Sequence, residues 1–364
     1  MDNTKIGNKE AIALLVTIAF NHMMLSITKS IINFTGSASL LNILYVAIIT
    51  IIFTCIICYF LNKFPTFDLI DISKYLGGNI LKYIIGILYI AYFVFFSGIL
   101  LHIFSSSLQI IYFPLTRIFY ISLFFIIGAI IACNLRYNSI YRSTLIIFPL
   151  IIISTLFLFL SDIPYYEVEK MYPIFGNGLF TTFVSGLCNM FAFQGLAYIY
   201  FMPPMLKEPS QIKKIAVTSI IFSSIFLLII IATILFLFAG FVETGELMPI
   251  YSAVKYIEFG SFFRKMDSIF VLIWIISFVS YLSITLKFST TILKKLTNIK
   301  NSFILTCLLG FALLIVSILP KDYSVSTNIA NIVYKYSFFI LVIGISFLVL
   351  LFSVIKQKIR KWFK

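Results

Sequence analysis

The chain has 364 residues, of which 61% are hydrophobic and 11% charged, with a mean hydropathy of +1.09 and a formal net charge of +14 at pH 7. A soluble domain covers its surface with roughly twice that share of charge, so a soluble fold is excluded and an all-α polytopic membrane protein is expected. Nucleic-acid binding is excluded with it, because no soluble domain is left to present the basic excess, which instead suits orientation in the bilayer and contact with anionic lipid.

A helix needs about 20 apolar residues to cross the hydrocarbon core. Windows of that kind fall near 11–33, 39–61, 80–107, 118–134, 143–161, 180–203, 215–240, 266–287, 302–320 and 333–355, which predicts ten transmembrane helices. The first follows Lys5 and Lys9 as a secretory signal would, but no small-residue cleavage motif stands out, so it is read as retained. Asn21, His22, Ser26, Thr28 and Lys29 interrupt it, and Lys29 is expected to snorkel to the interface. Span two carries Cys55 and Cys58, a C-x-x-C without a second ligand pair, read as packing residues; Cys133, Cys188 and Cys307 also lie in apolar runs. Span three holds Tyr89 and Tyr92. Span six, LCNMFAFQGLAYIYFMPP, encloses Asn189, Gln194 and Gly195 and ends at Pro203 and Pro204. Span eight opens at Asp267, close to Arg264 and Lys265 and downstream of Glu258, where an ion pair at the outer interface is expected; Ser277 and Ser280 follow within it.

Charge placement tests the count. With the N-terminus in the cytoplasm, 19 Lys and Arg fall on that side and 8 on the other, while the acids divide as 5 inside and 8 outside. The whole positive excess then lies on the cytoplasmic face, as orientation requires, with both termini inside. A missed or extra span would scramble this asymmetry.

Ten spans divide into five and five, and an odd number per half makes the second half enter upside down. The expectation is a single integral membrane domain of two inverted repeats, approximately 10–161 and 180–356. Such folds break the first helix of each half at mid-membrane, so that freed backbone groups line a ligand cavity. Spans one and six carry matching interruptions, which fit either a paired break or small and polar residues that permit close packing. No metal-ligand spacing, phosphate-binding loop or nucleophile–base pair is present, so neither an enzyme nor a cofactor is expected.

Several stretches resemble the B subunits of bacterial spore-germination receptors, the GerAB/GerKB permease family of the amino acid–polyamine–organocation superfamily. They are NKFPTFDLIDISKYLGGNILKYI (Lys63, Phe64, Pro65, Leu76, Gly77), YRSTLIIFP (Arg142, Pro149), MYPIFGNG (Pro173, Ile174) and MPIYSAVKYIEFGSFFRKMDSIFVLIW. In the last, Pro249, Lys255, Ile257, Glu258, Arg264, Asp267 and Trp274 fall at the family's spacing. The resemblance implies a LeuT-type fold with helices one and six broken. It implies a receptor subunit in the bacterial cell membrane, the spore inner membrane, that binds a germinant such as an amino acid and triggers germination. Its implied partners are an A subunit and a C-subunit lipoprotein. A stand-alone ion-coupled amino-acid transporter is the alternative.

In such a fold a small zwitterion is expected between spans one, three, six and eight. Backbone near Met23 and Gly195 would hold its polar ends, and Asn21, His22 and Gln194 would add hydrogen bonds. Tyr89 and Tyr92 would form one wall, unless they only pack, and Ser277 with Ser280 the other. Two departures stand out. Asn21, His22, Met23 and Met24 replace a Gly-rich break, and Ala197 occupies a position where many members carry Glu.

Overall fold

A computed structural model describes residues 5–135, 139–238, 249–255 and 266–362. Glu258 and Arg264 lie outside the described residues, as does the Asp267 side chain, and with them the expected interfacial ion pair. Among the described residues, six helical runs are long and apolar enough to cross a membrane by length and composition: Asn8–Leu61, Leu69–Ile111, Ser139–Tyr165, Pro209–Leu237, Ser268–Thr297 and Tyr323–Ile359. Three shorter apolar helices, Ile118–Asn134, Leu179–Phe193 and Ser302–Ile318, accompany them.

The first run is a hairpin. It comprises α1 (Asn8–His22), a π-helical segment Met23–Ile27, α2 (Thr28–Thr35) and, after a turn, α3 (Ser39–Leu61). Gly36 makes the turn at φ 62°, in the left-handed region that glycine enters without a Cβ clash. Next come α4 (Leu69–Ile111), α5 (Ile118–Asn134) and α6 (Ser139–Ser161). Span six is built from α7 (Leu179–Phe183), a 3-10 segment Ser185–Phe193 and α8 (Leu196–Ile199). The chain continues through α9 (Ile212–Leu237), α10 (Pro249–Lys255), α11 (Met266–Thr297), α12 (Ser302–Ile318) and α13 (Tyr323–Ser337). A second π-helical segment, Phe338–Ile345, joins α13 to α14 (Ser346–Trp362).

Helix faces divide by environment. On α3, Leu44, Ile48 and Ile52 are exposed, whereas Val46, Thr50 and Thr54 are buried against the bundle. A membrane helix can leave apolar side chains on its outer face because lipid receives them, so polar groups are drawn inward. Asn42 shows the result. Its Nδ2 donates to the Thr182 carbonyl at 2.7 Å, and its Oδ1 accepts from Asn189 Nδ2 at 2.7 Å, which ties α3 to span six.

The end of the bundle that carries the N-terminus is closed by polar contacts. Ile6 donates to the Met205 carbonyl at 2.8 Å and accepts from Lys207 N at 3.0 Å. Gly77 and Gly78 leave helical geometry inside α4, with Gly78 at φ 69°, so Leu69–Leu76 forms a separate short helix set at an angle to the long one. Asp68 caps that helix by accepting from Asp71 N at 3.0 Å. Lys295, near the C-terminal end of α11, then reaches both carboxylates, at 2.6 Å to Asp68 and 2.5 Å to Asp71. Lys356 donates to the carbonyls of Tyr75 and Leu76 at 2.9 Å, and Leu69 N donates to the Tyr200 carbonyl at 3.1 Å. The short helix is thus held by spans six, eight and ten together.

Asp68 is only 3% exposed, and burial pushes its carboxyl up to about 6 against the pull of Lys295. Taking away the cation leaves a shielded charge without its partner, which costs on the order of 3 kcal/mol. Lys295→Met is therefore expected to lower the thermal unfolding midpoint of the detergent-purified protein. Adding Asp68→Asn in the same chain should recover part of that loss.

Candidate functional site

The two interrupted helices depart from α-geometry in opposite senses. At Met23–Ile27 the turn widens: Thr28 Oγ1 donates to the Met23 carbonyl five residues back, at 2.7 Å. His22, Met23 and Thr28 keep right-handed helical φ and ψ, so span one is bulged and not unwound. At Ser185–Phe193 the turn tightens into nine residues of 3-10 helix, far longer than the three or four such runs usually reach. Both kinds of distortion concentrate at functional sites.

Asn21 is fully buried and turns toward α11. Its Nδ2 donates to Ser277 Oγ at 2.8 Å, to the Ser277 carbonyl at 3.3 Å and to the Thr17 carbonyl at 2.8 Å. His22 stands edge-on to two rings, with centroids 5.1 Å from Tyr281 and 5.7 Å from Tyr334. Tyr334 in turn lies 4.2 Å from Phe96, which lies 4.4 Å from Tyr92. Spans one, three, eight and ten thus meet in one aromatic cluster. Span six joins it through Tyr198, stacked on Phe93 at 4.5 Å and bonded to Thr285 Oγ1 at 3.0 Å.

Among the described residues, Asn21 Oδ1, His22 Nδ1, Tyr92 OH and Gln194 Nε2 are shielded from water and have no hydrogen-bond partner. Each such group costs about 1–3 kcal/mol. The four come from spans one, three and six. No hydrogen bond joins Asn21 or His22 to Gln194. Gly195 has φ −51° and faces Leu15, whose carbonyl would lie 3.4 Å from an added Cβ, so an alanine fits there. The space between Gly195 and α1 is about 10 Å³, barely room for one water.

Tyr89 bonds to Ser346 Oγ at 2.5 Å and thereby braces the second π-helical segment, where Tyr200 OH also donates to the Val342 carbonyl at 2.6 Å. Ser280 is half-buried and takes no part in the Asn21–Ser277 network.

The roomy part of the site lies one turn farther along. A cavity of about 260 Å³ opens against the π-helical segment, lined by Met23, Ser26 and Lys29 on that side. Its other walls include Phe270 and Trp274 of α11, Ser107 of α4 and a stripe of α13 from Tyr323 to Asn331. Of the residues singled out from the sequence as ligand-binding, Met23 alone lines it. Asn21, His22 and Ser277 lie close by, while Gln194, Gly195, Tyr89, Tyr92 and Ser280 are not among its walls. The α13 stripe escaped the sequence reading. Its signal was the polar spacing Tyr323, Thr327, Asn331, which puts one residue per turn on one helix face.

A helical bundle with two distorted helices, one of them facing a cavity, is a transporter-like arrangement. Residues 5–326 match the family described as spore germination protein. The chain belongs to the spore germination protein family. Within it, spore germination protein B2 of Bacillus subtilis (strain 168) is 25% identical over 341 residues, which cover 90% of this chain and 89% of the relative. Among solved structures, a nucleobase-cation-symport-1 family transporter, closed with bromovinylhydantoin bound, aligns with a TM-score of 0.67 at 11% identity. That alignment covers 93% of this chain and 77% of the transporter. A manganese transporter of Eremococcus coleocola aligns at 0.55 and 13% identity, over 95% of this chain and 76% of its own.

These likenesses carry the fold alone: an all-α, polytopic, integral membrane protein of the LeuT and nucleobase-cation-symport-1 class. Membership in the spore germination proteins makes the chain a germination-related membrane permease, in a family of permeases and receptor subunits and not of enzymes.

The Asn21–Ser277 bond links spans one and eight beneath the cavity. Polar pairs between membrane helices are worth about 0.6–2 kcal/mol. A double-mutant cycle of Asn21→Ala and Ser277→Ala, read from thermal unfolding in detergent, is expected to give a coupling energy of about 1 kcal/mol.

Proposed function

We propose that this chain is the germinant-sensing membrane subunit of a spore germination receptor, and that it holds a small molecule such as an amino acid at mid-membrane. The observation that carries the reading is the cavity of about 260 Å³ against the π-helical segment of span one, with unsatisfied buried groups of Asn21 and His22 just before that segment on the same helix. In this reading the chain is a single domain of ten spans in two inverted repeats, approximately 10–161 and 180–356, with spans one and six as the paired interruptions. Both termini are cytoplasmic, so the end closed by Lys295 faces the cytoplasm and the cavity faces outward. The family context supports partnership with an A subunit and a C-subunit lipoprotein, in the spore inner membrane, where the basic cytoplasmic face meets anionic lipid.

Signalling then follows from differential affinity. A ligand that completes the buried hydrogen bonds favours the state in which they are aligned, and only that difference can shift the equilibrium. Ala197, fully buried, stands where the resemblance implies a Glu, and it offers no proton to couple.

The fold likeness to transporters favours one other reading, an ion-coupled amino-acid transporter acting alone. Uptake of labelled amino acid into proteoliposomes that contain only this chain would select it. For the receptor, His22→Leu and Gln194→Leu are expected to leave the protein assembled while raising the germinant concentration needed by roughly tenfold each, the equivalent of one buried hydrogen bond. Unchanged germinant sensitivity of spores carrying either variant would remove the site.

A further inference from the structure

Three side chains that line the cavity end in polar atoms shielded from water and without a hydrogen-bond partner among the described residues. They are Ser26 Oγ, Trp274 Nε1 and Asn331 Oδ1. Ser26 is 4% exposed and Trp274 6%. Their chemistry is complementary: the indole N–H only donates, the amide oxygen only accepts, and the hydroxyl does either. Apolar residues of the same shape would fill this space without the penalty of unpaired polar atoms.

Asn331 does not stand alone on its helix. Tyr323, Ser324, Thr327, Asn328 and Asn331 all line the cavity, spaced so that α13 gives one continuous face to it. Asp322 fixes the start of that helix by accepting from Val325 N at 2.7 Å.

We propose that Trp274 and Asn331 are specificity-determining residues that read the ligand as a neighbouring acceptor and donor, and that the ligand is a small polar molecule presenting both groups. Span ten thereby joins spans one and eight as a recognition wall. The proposal rests on the reading of the cavity as the ligand site.

The test measures binding of the twenty common amino acids to the full-length chain by thermal shift and isothermal titration. At least one zwitterion is expected to bind. Trp274→Phe keeps a ring and removes the N–H; Asn331→Leu keeps the volume and removes the acceptor. Each should weaken the best binder about tenfold. The unliganded midpoint should stay level or rise, because an unsatisfied group has been removed. Wild-type affinity in both variants overturns the proposal, as does the absence of any zwitterion binding. Met23→Trp, which fills the cavity, separates the two levels. If it abolishes binding while Trp274→Phe and Asn331→Leu do not, the cavity stands and the recognition wall falls. If none of the three variants matters, the ligand lies elsewhere and the reading of the site falls with the proposal.

Discussion

Inside a bilayer every backbone N–H and C=O must find its partner within the protein, and the departures from α-helix in this chain are governed by that requirement. A wide turn displaces a carbonyl from its usual amide. At Met23 the replacement is the Thr28 hydroxyl, and at Leu341 it is the Ser346 hydroxyl, each from five residues on. Val342 is served from another span, by Tyr200. In span six the Thr182 carbonyl is taken by Asn42. The polar residues that look out of place in apolar runs are, for the most part, the groups that make these distortions affordable.

That division of labour separates scaffold from site. Tyr89, Tyr200, Thr28 and Asn42 have their hydrogen bonds filled and hold segments in place. Asn21 Oδ1, His22 Nδ1, Gln194 Nε2, Ser26 Oγ and Trp274 Nε1 do not. A packed interior normally leaves few such atoms, and Asn21, His22, Ser26 and Trp274 place four of them along span one and the cavity beside it. At the other extreme, the Asp68–Asp71–Lys295 node is fully paired and shuts the end of the bundle where the N-terminus lies.

Much of this was legible in the sequence. The hydropathy windows located the helices, because lipid demands long apolar runs. Asn21, His22 and Gln194 stood out because a polar group in such a run needs a reason. Ser277, expected with Ser280 as a wall of the pocket, bonds to Asn21 instead. The π-helical segment was not legible. It contains neither Gly nor Pro and keeps helical φ and ψ, so composition gives no sign of a changed hydrogen-bond register. Lys29 suits an interfacial anchor by its place in the sequence, and it also lines the cavity. The α13 face was hidden for a different reason. Its asparagines and threonine sit at the mouth of a span, where polar residues are ordinary, and only the neighbouring helices reveal that they enclose space.

The 3-10 stretch of span six has a mechanical consequence. Nine residues at about 2.0 Å rise extend roughly 18 Å, against roughly 13.5 Å for the same nine wound as α-helix. The difference, about 4–5 Å, is close to the advance of a whole α-turn. Rewinding this coil would draw Gln194 along the bundle axis by that distance while its backbone stayed helical throughout. The length of the 3-10 stretch is held before its start by Asn42 on the Thr182 carbonyl, at its middle by the Asn189–Asn42 amide pair, and beyond its end by the stack of Tyr198 on Phe93.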